Sequence, residues 1–270
     1  MTSKKTPVQY LFKMSIKGTA LKGIFNYQKT IITSGISKWH ISEVDIKCSE
    51  INNEGRILYN YRIDGKNLLE YFYNFPTETH ILVYEIHELV NPMSIMKISD
   101  VLKMYITSSD PNIIHIHIID REQNVSRKKF YTQIIQDVVI TRAPDIYSKM
   151  PVNIDPDVFH TFIRNANANK EGEFVKIQIQ SPNYLCIVSN SRESQSHGML
   201  KQKKSIYTGK FFINEIKNIT KLLQSTNILN IYEPINNTEI APLCIKGAIK
   251  LVGDFEIYIH NSTVTPNTKT

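Results

Sequence analysis

Residues 10–46 read YLFKMSIKGTALKGIFNYQKTIITSGISKWHISEVDI, and they carry one complete structural unit. YLFKMSI is strand-like. A helix is predicted from about Thr19 to Ile32, because Leu21, Ile24, Phe25, Gln28, Ile31 and Ile32 recur at helical spacing on one side. Lys22, Asn26 and Lys29 sit at i, i+4 and i+7 on a different side, and no acidic residue occurs between Lys17 and Ser42. The β-branched strand KWHISEVDI follows, with the lone Trp39 expected in a core.

The same order of elements recurs three more times, at a spacing of roughly 55–75 residues, which marks a fold built by repetition. Helices are predicted to begin near Met93, Pro156 and Ile213, followed by NIIHIHII, EFVKIQIQ and NILNIYEP. The second opens at Asn91-Pro92, with Ile95, Ile98, Leu102 and Tyr105 as its buried side and Lys97 and Lys103 outside it. In the third, Asp155 caps, Pro156 takes the first position, and Val158, Phe159, Phe162, Ile163 and Ala166 form the apolar stripe. His160, Arg164 and Asn167 share its other face. The fourth runs from about Ile213 to Leu223, burying Ile213, Ile216, Ile219 and Leu223, with Lys210, Asn214, Lys217 and Lys221 lined up opposite. Taken singly, each polar face is also what a solvated helix surface looks like. Four in corresponding positions of a repeat point to a shared basic wall.

Between these units, RILYNYRID and LLEYFYNF alternate around Asp64-Gly65 and predict a hairpin. The segment Gln136–Tyr147, QDVVITRAPDIY, breaks the pattern and reads as a linker between two halves. Ser189–Lys204, with four basic residues against one acidic, predicts a mobile basic loop.

At 270 residues the chain is long enough for one large domain or two ordinary ones. Apolar and charged fractions of 41% and 21% are ordinary for a globular protein. A formal charge of +7 favours a polyanionic partner without proving one. Cys48, Cys186 and Cys244 lack paired spacing and read as core residues of a reduced compartment. The polar N-terminus shows no secretory h-region, and no apolar run approaches the roughly 18 residues of a membrane span, so an intracellular protein is expected. Phosphate-loop, dinucleotide, zinc-protease and serine-hydrolase motifs are missing. His115 and His117 share one face of a strand, but nothing nearby supplies a third metal ligand at telling spacing. Asp155 and Asp157 are explained by helix capping. No catalytic residue, metal or cofactor is expected.

In this order, the residues resemble the DNA polymerase sliding clamps of the proliferating cell nuclear antigen type. LKGIFNYQKTI with Trp39 and its strand resembles the family's first inner helix and the strand after it; FHTFIRNANA, entered from MPVNI, resembles the third helix; IAPLCIKGAIKLVGDFEIYIHN resembles the closing pair of strands. The resemblance covers about residues 10–262. It implies an α+β, two-domain sliding-clamp fold of four β-α-β-β-β repeats, with helices lining the inner face and antiparallel sheets outside. Domains are expected at 1–135 and 149–262, with a connector at 136–148 and a flexible tail at 263–270.

The resemblance also implies a function: holding double-stranded DNA without sequence specificity and tethering DNA polymerase and other replication proteins. Lys22, Lys29, Arg164 and Lys221 fall where the family's inner helices bear basic residues. Lys17, Lys97, Lys103, Lys210 and Lys217 join them by face, and Lys201, Lys203 and Lys204 by the basic loop. A pocket for a short helical peptide is implied at Ile51, Val139, Ile140, Pro144, Pro242, Tyr258 and His260. His260 stands where the family usually has a small residue, which narrows that pocket. A homotrimeric ring closed by edge-strand pairing is implied, yet the span from Ser189 to Tyr207 reads as too short for both edge strands. A monomer or dimer clasping DNA with the basic loop therefore stays open. Location in a nucleus, or in a cytoplasmic virus factory, follows from the same resemblance. So does an alternative role as a clamp-fold transcription factor for late gene expression of a large DNA virus.

Overall fold

The computed structural model describes residues 8–18, 20–134, 147, 151–168, 173–180, 184–189, 192–197, 205–234, 242–250 and 252–262. Four strand–helix–three-strand units follow one another. The first is β1 (Tyr10–Lys17), α1 (Lys22–Ile31), β2 (Ile36–Ser42), β3 (Asp45–Ile51) and β4 (Ile57–Asp64). A short β5 (Glu70–Tyr73) precedes the second: β6 (Thr79–Glu85), α2 (Ile86–Ser94), β7 (Val101–Thr107), β8 (Asp110–Ile119) and β9 (Val125–Tyr131). After β10 (Gln133–Ile134) the third comprises β11 (Val152–Ile154), α3 (Pro156–Ala168), β12 (Phe174–Gln180), β13 (Tyr184–Ser189) and β14 (Arg192–His197). The fourth is β15 (Ser205–Phe212), α4 (Ile213–Ile219), β16 (Leu229–Tyr232), β17 (Leu243–Ile249) and β18 (Gly253–Ile259), with a 3-10 turn at Thr220–Ser225 extending α4. The four β-α-β-β-β repeats expected from the sequence are present.

The strands form three antiparallel sheets. Five strands run β5-β1-β7-β8-β9, nine run β10-β6-β2-β3-β4-β18-β17-β16-β11, and four run β14-β13-β12-β15. The nine-stranded sheet crosses from the first half of the chain to the second where β4 meets β18 over seven residue pairs, Ile57–Ile259 to Ile63–Gly253. Gly253 lets the two strands close: a Cβ there would stand 1.9 Å from the Arg62 carbonyl oxygen. A second link between halves is the buried pair Arg56–Glu215, with Nε 3.0 Å from Oε1 and the guanidinium 3.9 Å over the Phe212 ring.

Helices cover one side of the sheets, and their apolar stripes join a single core. Leu21, Ile24, Phe25, Gln28, Ile31 and Ile32 are all buried, as are Phe159, Phe162, Ile163 and Ala166. Trp39 is fully buried and donates from Nε1 to the Tyr61 hydroxyl at 2.5 Å. The Asp155 carboxylate accepts from the amides of Asp157 (2.8 Å) and Val158 (3.3 Å), which makes it the cap of α3. Cys48 and Cys244 are free and buried. Among the described residues, no helix is long and apolar enough to cross a membrane.

Three sequence expectations fail. The second helix starts directly from β6 and ends at Ser94, with Pro92 inside it. Ile95 and Ile98, expected to be buried, are 64% and 81% exposed. Residues 101–107 form β7 instead, because Leu102, Met104 and Ile106 are buried in strict alternation, a period that only a strand satisfies. The expected hairpin also dissolves. β4 and β5 lie in different sheets, since the 3-10 turn Gly65–Asn67 carries the chain from one to the other and β5 pairs with β1. Tyr71 staples that crossing, its hydroxyl donating to the carbonyls of Ser42 (2.6 Å) and Asp45 (2.9 Å). The third failure lies in the first part of the expected basic loop, whose residues 198–204 are outside the described residues. Arg192–His197 is an edge strand paired with β13, and β15 begins at Ser205, so the span is long enough for both strands after all.

Gly253→Ala is expected to lower stability by about 2–3 kcal/mol, read by chemical denaturation, because the methyl group must push β4 away from β18.

Candidate nucleic-acid interface

Basic residues gather where α1 meets the last helical segment. α1 packs against α2 on one side and against the Thr220–Ser225 turn on the other; α3 packs against α4 and the same turn. The four helices are thus neighbours in one layer. Gly23 permits the closest of these approaches, since a Cβ there would lie 2.4 Å from the Ser225 hydroxyl and 2.8 Å from the Lys221 carbonyl oxygen. Burying one side of α1 leaves Lys22, Asn26 and Lys29 on the other. Lys29, Lys221, Asn26, Thr30 and Val90 line an open cavity of about 450 Å³ between α1, α2 and the turn.

The electrostatics report the same convergence. The Lys221 ammonium has its pKa lowered, first by partial burial and then by the positive charges of Lys217 and Lys29. Lys22 donates from Nζ to the carbonyl of Ser94 at 3.1 Å, at the C-terminal end of α2 where a helix dipole favours a cation. Arg164 is exposed on α3.

The remaining predicted cations lie elsewhere. Lys17 ends β1 and Lys97 lies in the turn after α2, both exposed. Lys103 is on β7, not on a helix, and sits 3.7 Å from the Glu70 carboxylate on the outer side of the five-stranded sheet. Lys210 is on β15, not on the fourth helix, with its ammonium 4.3 Å from the centroid of the Phe174 ring. α2, IHELVNPMS, carries no lysine or arginine, so the expected quartet of basic helices is a trio. The mislocated second helix explains Lys97 and Lys103; Lys210 is grouped with the fourth helix by the sequence reading although it precedes that helix's first residue, Ile213, and belongs to the strand before it. Lys201, Lys203 and Lys204 lie outside the described residues.

No protein-family model matches the sequence, and no curated protein matches it. The structure, however, superposes on a crystal structure of proliferating cellular nuclear antigen from Entamoeba histolytica with a TM-score of 0.73. The match covers 94% of this chain and 100% of that one at 13% identity. The chain has the sliding-clamp fold. In the clamp the helix layer is one wall and the sheets are the other, as the four-fold repeat implied.

On the sheet side of the clamp, a row of residues runs across four strands of the nine-stranded sheet. Ile51 pairs with Leu58, Leu58 with Tyr258, and Tyr258 with Cys244. These side chains point away from the helices, because their neighbours Ile57, Tyr59, Ile257 and Ile259 fill the core. Tyr147 lies over the row: its ring centroid is 5.5 Å from that of Tyr258, and its hydroxyl donates to the Pro242 carbonyl at 2.9 Å. His260 follows β18, half-buried, its amide donating to the Arg56 carbonyl at 2.9 Å. Ile51, Pro242, Tyr258 and His260 are therefore brought together, while Val139, Ile140 and Pro144 lie outside the described residues. Sequence reasoning missed Leu58 and Tyr147 as lining residues. The alternation of ILYNYRID, with Leu58 opposite in phase to buried Ile57 and Tyr59, was the available signal for Leu58.

Replacing Lys29 and Lys217 by Ala is expected to raise the Lys221 pKa, followed by side-chain NMR through a pH titration. An unmoved value would mean that the three ammonium groups do not share one field.

Proposed function

We propose that the protein is a DNA polymerase processivity factor that holds duplex DNA against its helix layer and tethers replication proteins through its sheet side. The observation that carries this reading is the shared field of Lys29, Lys217 and Lys221 on contiguous helical segments drawn from both halves of the chain, with Lys22 also on α1 and Arg164 exposed on α3. Flexible cations on rigid helices attract phosphates without reading bases. Their ion pairs break and re-form as DNA moves past, so residence must come from topology rather than from binding energy.

Closure into a homotrimer is part of the proposal. The outer edges of β9 and β14 have no strand partner among the described residues. Such edges are templates for pairing with another chain. Joining β9 of one copy to β14 of the next is a head-to-tail arrangement, and arrangements of that kind generate rings when the rotation closes. The apolar row Ile51, Leu58 and Tyr258, with Pro242 beside it, suits the apolar anchors of a short helical peptide from a polymerase. The expected domains at 1–135 and 149–262, joined by a connector at 136–148, fit this scheme.

Three outcomes test the proposal. The Lys22, Lys29, Arg164 and Lys221 quadruple alanine variant is expected to bind duplex DNA at least about tenfold more weakly at low salt. Its log–log salt slope should be shallower by about 0.9 for each phosphate that is no longer neutralised. Unchanged affinity and slope in a folded variant would sink the helix-layer assignment. Native mass spectrometry should find three chains of 31.2 kDa, and a monomer at micromolar concentration would refute closure. Ile51→Asp is expected to abolish capture of a DNA polymerase C-terminal peptide, and co-purification with RNA polymerase instead would favour the transcription role.

A further inference from the structure

The outer face of the five-stranded sheet has features that a plain clamp wall does not require. Register fixes which side chains stand together there. Lys13, Tyr105, His115 and Lys129 form one row across β1, β7, β8 and β9; Ser15, Lys103, His117 and Arg127 form the next. The alternate residues Phe12, Met14, Met104, Ile114 and Ile116 are buried, so both rows face outward. The centre of this face is aromatic. The Tyr105 ring is parallel to His115 at 4.8 Å and edge-on to His117 at 5.1 Å and Tyr10 at 5.5 Å. Its hydroxyl lies 3.2 Å from His117 Nε2. The Lys13 ammonium lies 4.9 Å from the centroid of the Tyr10 ring. Cations flank the rings on both sides, and the Glu70 carboxylate on β5 is already paired with Lys13 and Lys103. Tyr131, at the end of β9, adds a ring that is 77% exposed.

We propose that this face binds single-stranded nucleic acid. Duplex DNA keeps its bases stacked inside and offers phosphates to cations, so it has no use for the rings. A single strand exposes base faces as well as phosphates, and aromatic side chains on a sheet flanked by Lys and Arg match both. An acidic peptide would satisfy Arg127 and Lys129, but it offers no planar group to the aromatic cluster of Tyr10, Tyr105, His115 and His117. The face stands perpendicular to the backbone edge of β9, so pairing of that edge with another copy leaves it free. The proposal does not depend on ring closure or on the helix layer.

The test is fluorescence anisotropy of labelled 20-nucleotide oligo(dT) with the full chain over a range of salt. Tyr105→Thr with His115→Thr, on interior strands, and Arg127→Glu with Lys129→Glu should each weaken binding at least about tenfold. The Lys29→Ala, Lys221→Ala variant should weaken it less than either sheet variant does, because those residues lie on the helix side and supply phosphate attraction alone. Poly-glutamate at equal charge should not displace the oligonucleotide. Absence of oligo(dT) binding at low salt, loss only in the helix variant, or equal displacement by poly-glutamate would each overturn the proposal. Should the sheet variants unfold, photocrosslinking of bromodeoxyuridine-substituted oligonucleotide to the unaltered protein decides: adducts on β7 or β8 peptides support the site, and adducts confined to helices refute it.

Discussion

The ladder between β4 and β18 is the constraint on which the rest of the molecule depends. It joins a strand that ends the first repeat to the strand that ends the fourth, some two hundred residues later in the chain. Closing a loop that long costs conformational entropy before any native pairing forms. The ladder offsets this through paired backbone groups and through Tyr59, Tyr61, Phe255 and Ile257, all buried beneath it. Once it forms, β17, β16 and β11 extend the sheet from the second half while β3, β2 and β6 extend it from the first. The two halves then share one continuous sheet, and the buried Arg56–Glu215 pair fixes them a second time.

From that surface follows the placement of charge. α1 comes from the first half and the Thr220–Ser225 turn from the second, and they touch only because the sheet beneath them is continuous. Gly23 sets how closely they approach. Lys29 and Lys221 are thereby held within each other's field, and the Lys221 pKa is depressed first by partial burial and then by repulsion from Lys217 and Lys29. Like charges held together against repulsion attract a polyanion more strongly than the same charges dispersed. Residues of opposite phase on the same sheet, Ile51, Leu58 and Tyr258, face away from the helices and form an apolar row. The basic helix layer and the outer apolar row thus lie on opposite sides of one alternating sheet.

Much of this was legible before any coordinates. The helical spacing of α1 and α3, the Asp155 cap, the burial of Trp39 and the four-fold repeat all rest on local periodicity, which survives without tertiary information. Errors arose where one stretch satisfied two periods. Ile95, Ile98, Leu102 and Tyr105 fit a helix, while Leu102, Met104 and Ile106 fit a strand, and the neighbouring strands β1 and β8 decided for the strand. RILYNYRID and LLEYFYNF alternate around a turn signal, yet pairing partners in two different sheets pulled them apart. RESQSH has no apolar residue to announce a strand, because an edge strand of polar residues is stabilised by its backbone pairing to β13.

Sequence alone determined the repeating unit, its amphipathic helices and the positive character of the chain, since spacing and charge are properties of neighbours along the backbone. Tertiary structure decided which cations meet. Lys29 and Lys221 are separated by most of the chain and lie within reach of each other's field, whereas Lys17 and Lys22, five positions apart, fall on a strand end and a helix. It also decided that Tyr105, His115 and His117 form one aromatic cluster, because cross-strand register, not sequence distance, sets which side chains touch.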